Sequence, residues 1–318
     1  MTVLDAPALD AVGPVDTSTA LPRYSLVGPA NAPAVAVLGG ISATRNVVGT
    51  ATRDGWWSEI AGAGRAIDTN RVRVLGFDFL DGGRDASGRP ERIVTTRDQA
   101  AALRRVLQAE GIDRLSAIVG SSYGGMVGLA FAERFESLVD RLVVISAAHE
   151  SHPMSTALRT LQRRIVELGL ETDRRDQAMS IARGLAMTTY RTAGEFAARF
   201  AAQATALSSN DASFEVDRYL RARGEEFAER MPAERFLALS LSGDLHSVDP
   251  SRITVPVTLV AAEGDAIVPI DQMQQLAARL GGPVHFVHLP TRVGHDAFLV
   301  EVERVSSIVT NALTSNLC

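Results

Sequence analysis

The residues with chemistry to offer begin at Gly120-Ser121-Ser122-Tyr123-Gly124, where one serine stands between glycines two positions before and two after it. A serine hydroxyl is a weak nucleophile until a base takes its proton, and the base works best when an acid orients it. Two later segments supply both groups. Asp265 lies in AAEGDAIVP, and His295 lies thirty residues further on in LPTRVGHDAFL. Together they would form an acyl intermediate on Ser122, with His295 as general base and Asp265 holding its imidazole. Taken singly, each has an ordinary explanation: a glycine turn, a turn or helix-capping aspartate, a surface-loop histidine. Ser121 is out of register with the two glycines.

The elements around these residues give them a common position. Ala34 to Leu38, Val72 to Phe79 and Leu115 to Val119 are short apolar runs, rich in branched residues and bounded by Gly, Pro or Asp, and they read as buried parallel strands. Thr95 to Glu110 carries Ala and Leu at helical spacing, which predicts an amphipathic helix and hence a βαβ unit. Met126 to Arg134 and Ile270 to Leu280 read as further helices, and Leu142 to Ile145, Val255 to Ala261 and Val284 to His288 as strands. The alternation implies an α/β chain with a mostly parallel, doubly wound sheet. Ser122 then sits at a sharp strand-to-helix turn, Asp265 follows a later strand and His295 the last one. That order and setting define the α/β-hydrolase fold.

Between about Pro153 and Leu245 the strands stop. Five helical patterns follow one another there: Ser155 to Leu168, Asp173 to Met187, Ala193 to Ala202, Glu215 to Ala228 and Ala233 to Leu239. An insertion at this point would cap the carboxyl ends of the strands and close a pocket over them. The expected organisation is a flexible leader over residues 1–22, a core over 23–152 and 246–318, and a helical cap over 153–245. An oxyanion hole would take the N–H of Tyr123, which follows the nucleophile, and that of Ile41 in Gly39-Gly40-Ile41-Ser42 after the first of these strands.

Composition narrows the function classes. A formal net charge of -5 argues against nucleic acid as a partner, because phosphate recognition needs a basic footprint. The sole cysteine, Cys318, allows no internal disulfide and no cysteine-rich metal site. The remaining histidines, His149, His152, His246, His285 and His288, have no metal-ligand spacing, so no metal is expected; His285 and His288 read as strand residues. No apolar run reaches the roughly 18 to 20 residues of a membrane span, and the first twenty residues lack a basic and apolar signal pattern. A cytoplasmic enzyme acting on small molecules is expected.

With these residues placed, the sequence resembles the homoserine O-acyltransferase family of the α/β-hydrolase superfamily. The likeness is carried by GWW with GRAIDTNRVRVLGFD (Gly55 to Asp78), GGM (Gly124 to Met126), ARGLAMTTYRTAGEFAARF (Ala182 to Phe200), VDRYLRARGEEFAERM to DLHSVD (Val216 to Asp249) and GHDAFL (Gly294 to Leu299). It implies acyl-CoA as co-substrate with no bound cofactor, L-homoserine as acceptor, a place in methionine biosynthesis and a homodimer through the cap helices. It also implies that Asp296 holds the acceptor ammonium and that Arg183 and Tyr190 contact the amino acid. Asp296 could instead cap the last helix. The chain departs from the family at FDFLDGGRDASGRPERIVT, at Gly-Gly-Ile in place of His-Ala-Leu, and at Ser-Tyr in place of Ser-Met.

These features leave other functions open. A serine esterase or thioesterase would share the same Ser, His and Asp and differ only in its acceptor; an acyltransferase for serine would differ by one carbon. A catalytically dead binding module would have no need of all three. For the donor, succinyl-CoA is favoured over acetyl-CoA, with Arg45, four residues beyond Ile41, reading the free carboxylate. A surface arginine or one contacting a CoA phosphate is the competing role for Arg45.

Overall fold

The computed structural model describes residues 21–50, 54–83 and 91–314. The expected leader, apart from its last two residues, and Cys318 lie outside the described residues. Seven strands form one sheet: β1 (Tyr24–Val27), β2 (Ala34–Leu38), β3 (Arg73–Phe77), β4 (Leu115–Ser121), β5 (Leu142–Ile145), β6 (Val257–Ala262) and β7 (Val284–Leu289). Their spatial order is β1-β3-β2-β4-β5-β6-β7. Only β1 runs antiparallel; it pairs with β3 along the edge, Tyr24 opposite Phe77. The chain steps outward from β2 to β3 and then crosses back to β4 on the other side of β2. The switch point therefore falls between the carboxyl ends of β2 and β4, where an open α/β sheet leaves a crevice.

The strands read as continuous apolar runs because both faces are covered. Along β2, Ala34, Ala36 and Leu38 join one core while Val35 and Val37 join the other. Helix α1 (Thr96–Ala109) lies on the first face with Ala100, Leu103, Val106 and Leu107 buried. Its start is set by a capping box, in which Thr95 Oγ accepts from Asp98 N–H and the Asp98 carboxylate accepts from Thr95 N–H. Helix α2 (Tyr123–Phe135) begins three residues earlier than its sequence pattern predicts. Gly124 and Gly125 hide that first turn, since glycine is a poor helix former, and tertiary packing imposes it.

Between β5 and β6 the chain leaves the sheet for α3 (Pro153–Glu171), α4 (Arg175–Tyr190), α5 (Ala193–Arg199), α6 (Glu215–Arg230) and α7 (Ala233–Asp244). The sequence shows no strand in this stretch, yet Ala206–Leu207 and Ala212–Ser213 pair briefly as an exposed hairpin. Two-residue strands carry too little alternation to be read from sequence. Helix α8 (Ile270–Arg279) links β6 to β7, and α9 (Ala297–Val300) and α10 (Val302–Thr314) follow the last strand. No helix among the described residues is long and apolar enough to cross a membrane.

Candidate active site

Ser122 sits between β4 and α2 with φ 51° and ψ -123°, a strained conformation for a residue with a side chain. The flanking glycines are required by contact. A Cβ on Gly120 would lie 2.4 Å from Gly124 O, and one on Gly124 would lie 2.2 Å from Leu38 O. The second approach joins the elbow to the end of β2, and Gly124 N–H donates to Gly39 O at 2.9 Å to fix it there. The loop carrying Ile41 is thereby held beside the nucleophile, and Ile41 and Tyr123 line the same cavity as Ser122. The Tyr123 side chain points away into the core, its hydroxyl 2.7 Å from Ser242 Oγ, and burial pushes its pKa up to about 12.

Ser122 Oγ lies 2.9 Å from His295 Nε2, and His295 Nδ1 lies 2.8 Å from Asp265 Oδ2. An ionised carboxylate only accepts, so Nδ1 carries the proton and Nε2 presents its lone pair to the serine hydroxyl. The other Asp265 oxygen accepts from Ile267 N–H at 2.8 Å and Val268 N–H at 2.9 Å, which fixes the carboxylate in plane. Burial opposes charge on His295, but the Asp265 charge and hydrogen bond, helped by Asp296, prevail and raise its pKa above the ordinary histidine value. The row can activate Ser122 toward an acyl carbon and return the proton to a leaving group.

The cap completes a cavity of about 1010 Å³ over this row. Tyr190, at the end of α4, lays its ring 5.5 Å from the His295 ring, and burial raises its pKa so that the hydroxyl stays neutral. Arg183, two turns earlier, lies 4.9 Å from the Phe227 ring and 5.2 Å from that of Tyr190, and it meets no acid among the described residues. Asp296 lines the cavity beside His295. It precedes α9 but makes no capping hydrogen bond; its carboxylate accepts instead from Arg191 Nε at 3.0 Å.

Arg45 is placed differently from the sequence expectation. Its backbone N–H donates to Asp78 Oδ1 at 2.8 Å and its Nη1 to Asp78 Oδ2 at 2.7 Å. Thr44 and Asn46 line the cavity, whereas Arg45 between them does not. Asp78 follows β3 and draws the guanidinium toward that strand, so the loop's nearness to Ser122 does not carry the arginine side chain with it. Arg45 therefore faces Asp78 and not the cavity, and it is not placed to read the donor carboxylate.

Two ionic groups escaped the sequence reading. Arg191, next to Tyr190, bridges Asp296 and Glu195, with Nη1 2.9 Å from Glu195 Oε1. On α3, Arg159 and Arg163 both grip Asp244, each at 2.6 Å. The four-residue spacing of the two arginines was visible, but such spacing ordinarily marks a solvated helix face. Their inward direction follows from the tertiary position of α7, whose last residue is Asp244.

Comparison with known proteins places the chain by fold and by family. A family model described as alpha/beta hydrolase fold matches residues 33–302. The chain is 42% identical over 295 residues to a homoserine O-succinyltransferase of Xanthomonas campestris pv. campestris, covering 92% of this chain and 78% of that one. It is 31% identical to a serine O-succinyltransferase of Frateuria aurantia, covering 87% of each. Among solved structures, a homoserine O-acetyltransferase from Bacillus anthracis superposes with a TM-score of 0.84 at 16% identity, covering 93% of this chain and 92% of that one, a likeness of fold. The chain belongs to the homoserine O-acyltransferase family of the α/β-hydrolase superfamily.

Proposed function

We propose that the protein transfers an acyl group, succinyl in preference to acetyl, from acyl-CoA to the hydroxyl of L-homoserine through an acyl-Ser122 intermediate. The observation that carries this reading is the company the Ser122-His295-Asp265 row keeps. Its cavity also holds a carboxylate, Asp296, and a guanidinium, Arg183, that meets no acid among the described residues. An ammonium and a carboxylate on one small acceptor complement that pair, and an ester substrate of a plain hydrolase needs neither. The 42% identity to a homoserine O-succinyltransferase supports the acceptor and the donor alike.

In this mechanism His295 takes the Ser122 proton as Oγ bonds to the thioester carbon, and the N–H groups of Ile41 and Tyr123 hold the oxyanion. The C–S bond breaks and the thiolate leaves with the proton from His295. Homoserine enters with its ammonium at Asp296 and its carboxylate at Arg183, beside Tyr190. His295 then takes the homoserine hydroxyl proton, the new C–O bond forms, and Ser122 leaves with that proton. The cap must exclude water, because a wet acyl-enzyme would hydrolyse.

The same reading includes a cytoplasmic setting, no bound cofactor and a homodimer through the cap. Supporting the dimer, Met154, Leu161, Leu168 and Ile181 on α3 and α4 are exposed large apolar residues. A groove of about 890 Å³ that includes Ile165, Leu185 and Leu220 adjoins them. The function is tested by thiol release from acetyl-, propionyl- and succinyl-CoA, each with homoserine, serine and no acceptor. Fast release only with succinyl-CoA and homoserine is expected. Equal release without acceptor would make the protein a thioesterase.

A further inference from the structure

The start of α5 carries a pattern that ordinarily closes on itself. Thr192-Ala193-Gly194-Glu195 has the spacing of a capping box, and half of the box forms: Thr192 Oγ1 accepts from Glu195 N–H at 3.1 Å. The other half does not. The Glu195 carboxylate turns to Arg191 instead, its Oε1 accepting from Nη1 at 2.9 Å, and its Oε2 is buried with no hydrogen-bond partner among the described residues. At the start of α1, by contrast, Asp98 closes the box on both sides. A carboxylate that forgoes a local bond and leaves one buried oxygen unpaired costs stability, so its hold on Arg191 needs a reason.

That reason lies on the other side of the arginine. Arg191 Nε also holds Asp296 Oδ2 at 3.0 Å, and these two residues line the cavity with Ser122, whereas Glu195 does not. Thr192 Oγ1 donates to Arg292 O, which ties α5 to the loop carrying His295 and Asp296. Charge decides what an incoming acceptor meets there. If Arg191 paired with Asp296 alone, the two would cancel and an ammonium would find no net charge. With Glu195 on the same guanidinium, two carboxylates share one cation and a negative charge remains at the cavity wall. Arg199 does not remove it. Its Nη1 stands 3.7 Å from Glu195 Oε1, its side chain is 47% exposed, and its guanidinium lies 4.3 Å from the Tyr219 ring. Water screens so open a pair.

Resting on the acyl-transfer reading above, we propose that Glu195 is a positioning residue for the acceptor: by sharing Arg191 it leaves Asp296 a net negative charge, and the protein thereby prefers hydroxyl acceptors that carry an ammonium. Glu195 does not touch the acceptor. It acts through Arg191, whose other bond holds the Asp296 carboxylate in place before the acceptor arrives.

The second half-reaction is followed from preformed succinyl-enzyme with L-homoserine and with 4-hydroxybutyrate, the same chain without its ammonium. In Glu195→Gln the homoserine KM should rise on the order of 10-fold, as expected for one partly buried charge acting across a single side chain. First-step thiol release, homoserine kcat and the use of 4-hydroxybutyrate should each stay within about twofold. Glu195→Asp keeps the charge and should restore part of the KM. In an Arg191→Met background the loss caused by Glu195→Gln should shrink to about twofold, because Glu195 then has no cation to share. Equal loss with both acceptors, slower first-step thiol release, or an undiminished loss in the Arg191→Met background would overturn the assignment. Should Glu195→Gln not fold, Arg191→Met alone decides: it leaves Asp296 its whole charge, so the preference for homoserine over 4-hydroxybutyrate should hold, and a fall on the order of 10-fold would overturn the proposal. Equal use of the two acceptors by the wild type would instead remove the role of Asp296, and failure of any acyl-CoA to label Ser122 would remove acyl transfer itself. Both of those results appear before any variant is made.

Discussion

Asp296→Asn separates the two half-reactions. In the free protein the Asp296 carboxylate accepts from Arg191 Nε at 3.0 Å, is nearly buried, and contributes to raising the His295 pKa. The amide keeps the shape and loses the charge. A hydrogen bond to a charged group contributes about 1.5–3 kcal/mol, so kcat/KM for homoserine should fall on the order of 10 to 10². CoA release in the first half-reaction should change by less than about threefold at pH 8, because the acceptor is not yet bound. The pH profile supplies a second signature. His295 must be neutral to act as a base, so activity rises with pH through its raised pKa. Removing the Asp296 charge lowers that pKa, and the acid limb of the first half-reaction should move to lower pH. Rapid-mixing assays of thiol release, with and without homoserine from pH 5 to 8.5, read both effects. Equal loss in both half-reactions, or an acid limb that moves upward, would refute the assigned role. A melting shift without kinetic change would restore the capping explanation, which the absent capping hydrogen bond already disfavours.

Three further outcomes are expected. His246 is buried and neutral, with Nδ1 2.8 Å from Thr96 Oγ1, and burial lowers its pKa to about 3. Its unfolded form binds a proton below about pH 6.5, so stability is complete above that value and falls as pH drops toward 3. Urea titrations should show about 2 kcal/mol lost to this group by pH 5, a loss absent in His246→Gln, and equal slopes would refute the argument. Gly124→Ala would push a methyl group to 2.2 Å from Leu38 O. It should abolish activity and cost at least about 1–3 kcal/mol in denaturant unfolding, whereas near-normal turnover would show that the elbow can relax. Leu168→Glu with Ile181→Glu, both on exposed positions of the cap, should halve the mass measured by light scattering. A wild type that is already monomeric would remove the proposed dimer.

What could be read from the sequence followed from local rules, and what could not depended on tertiary placement. The runs AVAVL and LVVI are buried on both faces, so they announced β2 and β5 without alternation to blur them. Ser122, Asp265 and His295 were legible because chain order around a parallel sheet sends all three to one edge. By contrast, β1 is a four-residue edge strand, only partly buried, and its pattern carries little signal. Arg45 was misplaced because proximity along a loop does not determine which way a side chain turns, and Asp78, thirty-three positions away, decides that. Arg159 could not be singled out for the mirror reason: its partner Asp244 lies at the far end of the cap, eighty-five positions on. The glycines of the elbow were legible in kind, and the structure adds what they touch.

The account depends most on one covalent bond. Intact-protein and peptide mass spectrometry, after brief exposure of the wild type to succinyl-CoA without acceptor, should find a single succinyl group on Ser122. Adding homoserine should remove it as O-succinylhomoserine, and Ser122→Ala should never acquire it. A label on another residue, or full turnover by Ser122→Ala, would contradict the mechanism.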